Sequence, residues 1–200
     1  YLHPSRFRPD DTVLEDLELK NKNGFVIIRL VSTKSVHDSG SGFSRTELYK
    51  MIRYFSRESK VILSSEVKLP AIFDKYIYRI SPDKFHSALY YARLCISEGS
   101  TTAVESSIIG TPAVNYERYI SKDNTPLDSS ELLGYLADLK HNYNLLYTFK
   151  DEKLAFRKAR EIFHNPKIKK DYRERLSRLF DEKIDVSNYI SNLIKKSFHD

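Results

Sequence analysis

The sequence predicts an α/β fold of three layers, with a mainly parallel sheet between helices and further helices at the C-terminus. Three observations carry this expectation. The runs Gly24-Phe-Val-Ile-Ile-Arg-Leu-Val31 and Lys60-Val-Ile-Leu-Ser-Ser65 are apolar and rich in β-branched residues at consecutive positions. That pattern suits strands covered on both faces. Capped amphipathic helices alternate with such runs, which calls for parallel pairing through right-handed crossovers. The stretch Ile96 to Pro112 then reads as a strand end, a Gly turn, a short helix and the start of another strand.

Taken in order, Leu2-His-Pro-Ser-Arg-Phe-Arg-Pro-Asp10 is punctuated like a linker, and Asp11–Leu17 suits one or two helical turns. The first strand leads into the polar loop Ser32–Gly42. Ser44-Arg-Thr-Glu47 is a capping box that opens a helix reaching Tyr54 or Phe55, with Leu48, Met51, Ile52 and Phe55 on one face. After the strand 60–65, Tyr76–Ile80 is expected as a further short strand. Ser81-Pro82 opens a helix through Tyr91, Pro being favourable at the first helical position. Leu94–Ser97 and Pro112–Asn115 are strands, and 116–130 is a polar, mobile loop. Leu132–Leu139 is expected as a helix and 144–149 holds a short strand. Asp151 starts a helix to about Phe163, Asn165-Pro166 one through Phe180, and Asp185 the last, with Ile190, Leu193 and Ile194 as its apolar face. The expected division is a linker with a short helix (1–23), a Rossmann-like domain (24–164) and a helical tail (165–200).

The Ile96–Pro112 stretch carries the chemistry. Gly99 is expected in a backbone conformation closed to other residues. Ser100, Thr101 and Thr102 are all candidate N-caps, and Thr102-Ala-Val-Glu105 fits a capping box. Gly110 ends the helix and Pro112 cannot continue it. A strand feeding a Gly turn onto a helix N-terminus aims free N–H groups and a positive dipole end at one point, a seat for phosphate or carboxylate. In parallel sheets ligands bind at the carboxyl ends of the strands. The loops Ser32–Gly42, Ser64-Ser-Glu66 and Glu98–Thr102 converge there.

Several chemistries lack their residues. Gly40-Ser-Gly42 has no third glycine for a dinucleotide fingerprint, and no phosphate-binding Walker sequence or nucleophile elbow is present. No His/Cys/Asp cluster has metal-ligand spacing, so neither metal nor cofactor is expected. Lys34, His37 and Asp38 suit phosphate holding or proton transfer, and equally a solvated loop. His86, early in its helix, points toward the strand ends or serves packing. Glu105 is either the last member of a capping box or a partner for a ribose diol.

The bulk composition narrows the setting. A single cysteine, Cys95, lies in an apolar run and excludes a disulfide framework, so a reducing cytoplasm is the expected compartment. No apolar run is long enough to span a bilayer. Residues 151–200 hold 13 Lys/Arg against 9 Asp/Glu, most of the chain's +6. Such mixed charge is the solvated face of helices, and without an aromatic-basic motif it argues against nucleic acid. An anionic membrane surface, met peripherally, or a phosphorylated ligand stays open as a partner. The only methionine is Met51, which suggests a C-terminal piece of a longer protein.

Together these residues resemble the C-terminal half of GT-B-type glycosyltransferase-like proteins. They are similar to non-hydrolysing UDP-N-acetylglucosamine 2-epimerases and to a largely uncharacterised family near them. The resemblance covers Leu2 to Tyr116 and rests on four segments: the linker Leu2–Asp10, Arg29-Leu-Val-Ser-Thr with His37-Asp38-Ser-Gly, Phe85-His-Ser-Ala-Leu-Tyr-Tyr-Ala92, and Glu98–Glu105 with Gly110-Thr-Pro112. It implies that Gly99, Ser100 and Thr101 bind a diphosphate and Glu105 the ribose. Ser100-Thr101 stand where the epimerases have consecutive glycines, and their hydroxyls could donate instead. The implied binding set for a nucleotide sugar, a UDP-sugar by resemblance, is Ser32, Lys34, Glu66, His86, Glu98, Gly99, Ser100, Thr101, Thr102 and Glu105. His37 and Asp38 are the catalytic candidates. The implied setting is surface polysaccharide or glycoconjugate synthesis, with an N-terminal domain completing the enzyme and this part alone inactive. A non-catalytic regulatory domain of the same fold is the alternative.

Overall fold

A five-stranded sheet forms the centre of the molecule, and every pairing in it is parallel. The computed structural model describes residues 2–19, 24–31 and 42–197. Helix α1 (Thr12–Asp16) precedes strand β1 (Val26–Leu30), helix α2 (Arg45–Phe55) and strand β2 (Val61–Ser65). A 3-10 helix (Ala71–Tyr76) leads to α3 (Pro82–Tyr91), β3 (Leu94–Ser97), α4 (Ser100–Ile109) and β4 (Ala113–Tyr116). A small hairpin of β5 (Tyr119–Ile120) and β6 (Pro126–Leu127) follows, then the single turns α5 (Ser129–Leu132) and α6 (Gly134–Ala137). Strand β7 (Leu146–Phe149) and helices α7 (Glu152–His164), α8 (Ile168–Glu182) and α9 (Val186–Ser197) complete the chain.

The sheet order is β2-β1-β3-β4-β7. One further parallel bridge, Leu63 to Ile77, lies on the open side of β2. The chain therefore steps outward from β1 to β2 to Ile77, then returns to lay β3 on the other side of β1. This reversal is the topological switch point at which open α/β sheets form a crevice. Helices α1, α3 and α4 pack together on the sheet, while α7 contacts β3, β4 and β7 and meets α2.

The strands are apolar throughout because both faces are covered. Ile27, Ile28, Ile62, Leu63, Cys95, Ile96 and Val114 are wholly buried. Burial pushes the Cys95 thiol up to about 12, with Ser106 and Arg29 acting weakly against it. Cys95 is thus a small core residue and no thiolate nucleophile. Phe55, also wholly buried, meets Phe163 of α7 edge-on at 5.1 Å and joins α2 to α7. Helix α8 inserts Tyr172, whose hydroxyl donates to the Leu145 carbonyl, and Leu176, whose Cδ1 would stand 3.4 Å from a Cβ at Gly110.

Several local expectations need correction. Tyr76–Ile80 forms only the single bridge at Ile77, because the 3-10 helix uses the chain up to Tyr76. The loop 116–130 contains the β5–β6 hairpin, closed by Ser121, which accepts the Thr125 amide at 3.0 Å. The helix expected at 132–139 is broken into α5 and α6, followed by a π-helical turn at Asp138–Asn142. Gly110, at φ 99°, does end α4 in the left-handed conformation.

Candidate site at the switch point

Glu98 occupies the crevice between β1 and β3. Its carboxylate accepts the Val31 amide at 3.1 Å through Oε2 and the Phe43 amide at 2.7 Å through Oε1. The Glu98 amide donates to the Arg29 carbonyl at 3.0 Å, continuing the β1–β3 ladder. One side chain thus fixes the residues on either side of segment 32–41 to the end of β3. Gly42 is required for this approach, since a Cβ there would lie 2.4 Å from Oε1 of Glu98. Phe43 is held further by the Tyr116 ring at 4.6 Å. Burial of the Glu98 carboxyl raises its pKa, outweighing the two amides and the Arg45 charge that favour the ionised form.

The turn after β3 is built by Ser97, whose hydroxyl accepts the Gly99 amide at 3.0 Å and donates to the Gly99 carbonyl at 2.7 Å. The Ser97 carbonyl is in turn bound at 3.2 Å by Asn115 of β4, which accepts Ser129 Oγ at 2.8 Å. Helix α4 starts directly from this turn with Gly99 as N-cap and no side-chain capping bond. Among the described residues no group accepts the Ser100, Thr101 or Thr102 amides, which suits them to a ligand, and the dipole adds about half a positive charge.

Two expectations fail here for one reason: the helix begins three residues earlier than the capping pattern suggested. Thr102 lies inside the first turn, so the box Thr102–Glu105 does not form. Gly99 has φ −98° and ψ 133°, extended backbone open to any residue. Its smallness matters only for approach, since a Cβ would stand 3.2 Å from Val31 Cγ1. Glu105, freed from capping, lies 3.2 Å from His86 Nε2 on α3.

The structure brings Glu98, Gly99, Ser100, Thr101 and Thr102 together at the carboxyl edge, with His86 and Glu105 paired on the flank of α4 facing α3. Glu66, just past the end of β2, joins this edge through its ion pair with Arg29. Ser32, Lys34, His37 and Asp38 lie outside the described residues. Two cations at this edge were absent from the expected set. Arg29 donates to Ser64 Oγ at 2.9 Å, lies 5.6 Å from the Phe85 ring centroid and, among the described residues, has no hydrogen-bond partner for its buried Nε. Arg45 sits close enough to Glu98 to affect its charge. A charge inside the apolar run Val26–Leu30 was the available signal for Arg29; Arg45 gave none. Among the described residues no cluster of three His, Cys, Asp or Glu could hold a metal ion.

An open parallel sheet with helices on both sides, a ligand crevice at the switch point and helices after the last strand is a Rossmann-like half of a GT-B fold. Comparison with solved structures agrees. Os79 from O. sativa, in complex with U2F and trichothecene, matches at TM-score 0.56 and 17% identity over 98% of this chain and 46% of its own. Os79 in complex with UDP and deoxynivalenol-3-glucoside matches at 0.55 and 15%, over 98% and 46%. The wall teichoic acid polymerase TagF, as a variant soaked with CDPG, matches at 0.51 and 16%, over 94% and 46%. The chain spans about half the length of these proteins, and at such identities the likeness is one of fold. No family model and no curated protein matches the chain by sequence. Among the described residues no helix is long and apolar enough to cross a membrane.

Proposed function

We propose that this chain is the nucleotide-sugar-binding half of a GT-B-type glycosyltransferase. The observation that carries the reading is the α4 N-terminus at the switch point, without a side-chain cap among the described residues, and the flanks of segment 32–41 fixed beside it by Glu98. In this reading the Ser100 and Thr101 amides hold the diphosphate of a UDP-sugar and Glu105 accepts hydrogen bonds from the ribose. His37 and Asp38, outside the described residues, remain the catalytic candidates, and Arg45 offsets the phosphate charge. Transfer is favoured over epimerisation because the fold-level neighbours are glycosyltransferases. An N-terminal domain of the same protein supplies the acceptor site. It also covers α9, where Tyr189 is 59% and Leu193 56% exposed on an otherwise amphipathic helix.

Ser100→Pro tests the seat directly. Proline is accepted at the first helical position and the extended Gly99 before it, so the variant deletes one amide donor and leaves the helix. Calorimetric titration should show UDP affinity falling about tenfold or more, the effect of one charge-assisted hydrogen bond. Unchanged affinity in a folded variant contradicts the proposed diphosphate position.

A further inference from the structure

At the edge of the sheet opposite the α4 N-terminus lies a groove of about 600 Å³, within the range of small-molecule sites. Tyr90, Ile109, Leu176 and Phe180 supply its apolar walls, and His3 closes one side against Phe180 at 4.5 Å. Lys169 and Arg173, one turn apart on α8, line the same groove. Arg93, stacked on the Phe163 ring at 4.2 Å, adds a third positive charge acting on Lys169. Among the described residues, no hydrogen bond or ion pair satisfies the Lys169 ammonium or the Arg173 guanidinium.

Lys169 is half-buried and Arg173 exposed, so the cost to the free protein falls on Lys169. Burial first, and then the neighbouring Arg173 and Arg93, lower the Lys169 pKa. The C-terminal ends of α3 and α4 border the groove at Tyr91 and Ile109 and contribute partial negative charge. A dipole end offsets only about half a charge and replaces no hydrogen bond. Among the described residues the single acid lining the groove is Asp181, further along α8 by about 18 Å from Lys169 and about 12 Å from Arg173. The groove is therefore polar end to end, with cations at one end and an apolar middle.

We propose that this groove is a second ligand site, for a soluble organic anion whose phosphate or carboxylate is held by Lys169 and Arg173 and whose apolar body lies between Tyr90, Leu176 and Phe180. A concave site suits such a molecule better than a membrane surface, since the exposed face of α8 also carries Glu174, Asp181 and Glu182 and presents no uniform positive patch.

The test is a phenyl phosphate titration followed by amide NMR, on the 200-residue chain carrying Ser100→Pro to weaken the seat at α4. Saturable shifts at Tyr90 and along 169–181 are expected, with inorganic phosphate binding more weakly. Lys169→Met and Arg173→Met should each weaken binding about tenfold, while Lys169→Arg retains it. Without ligand, Lys169→Met should raise the melting temperature, because it removes an unpaired, desolvated cation. Four results would overturn the proposal: no saturable shift on α8, equal binding of inorganic phosphate, a lowered melting temperature for Lys169→Met, or binding to phosphatidylserine vesicles that phenyl phosphate does not displace.

Discussion

The Glu98 carboxylate accepts the Phe43 amide at 2.7 Å across 55 positions of sequence, and the Val31 amide across 67. Glu98→Gln keeps one acceptor oxygen and turns an amide NH2 toward the other donor. It should cost about 1–3 kcal/mol, the penalty of a buried donor left unmet. Hydrogen exchange at Val31 or Phe43 should accelerate together with the loss of stability. Unchanged exchange at both amides would show that Glu98 does not hold them.

Gly42→Ala attacks the same contact from the other side, since its Cβ would stand 2.4 Å from Oε1. The glycine substitution should destabilise the wild type clearly and the Glu98→Ala background little. A double-mutant cycle reads this as strong coupling; additive losses would mean that Gly42 acts through something else.

Stability should depend on pH in opposite directions at two carboxyls. Burial raises the Glu98 pKa, so its contribution is largest below the unfolded value of about 4.3 and declines as pH rises through that value toward the folded one. Burial also pushes Asp128 upward, but hydrogen bonds from Ser130, Lys140 and Thr148 together hold it below the ordinary range. Its contribution is present above the unfolded value of about 3.9 and is lost as pH falls through the folded one. The stability gap between wild type and Glu98→Gln should therefore widen on acidification, and that to Asp128→Asn should narrow. Denaturant melts across this range check both; gaps moving the same way would contradict the assignment.

Glu105 separates ribose binding from packing. If it accepts from the ribose diol, Glu105→Gln should weaken UDP about tenfold and 2′-deoxy-UDP much less. A purely structural pair with His86, 3.2 Å away, would affect the two ligands equally. Calorimetry on both ligands decides between them.

What the sequence disclosed follows the range of the interactions. The Ser44 cap, which accepts the Glu47 amide at 3.2 Å, and the left-handed Gly110 are local and were legible. Apolar runs such as Val26–Leu30 disclosed the parallel sheet, because burial on both faces leaves no alternation. The start of α4 was misplaced because Ser100, Thr101 and Thr102 are equally good caps, and tertiary contacts of the preceding turn chose none of them. Even at Ser44 the expected reciprocal bond comes from elsewhere: Glu152 of α7 accepts the Ser44 amide at 2.8 Å, while Glu47 pairs with Lys50. The Glu98 contacts lie beyond any local pattern, since they join segments that only the fold brings together.

The most direct measurement of the central claim is a UDP titration of the wild-type chain followed by amide NMR. Saturable shifts concentrated at Gly99, Ser100 and Thr101, with smaller ones at Val31 and Phe43, are the result expected of a diphosphate seated on α4. Shifts absent from this turn at saturating UDP, or confined to the α8 groove, would contradict it.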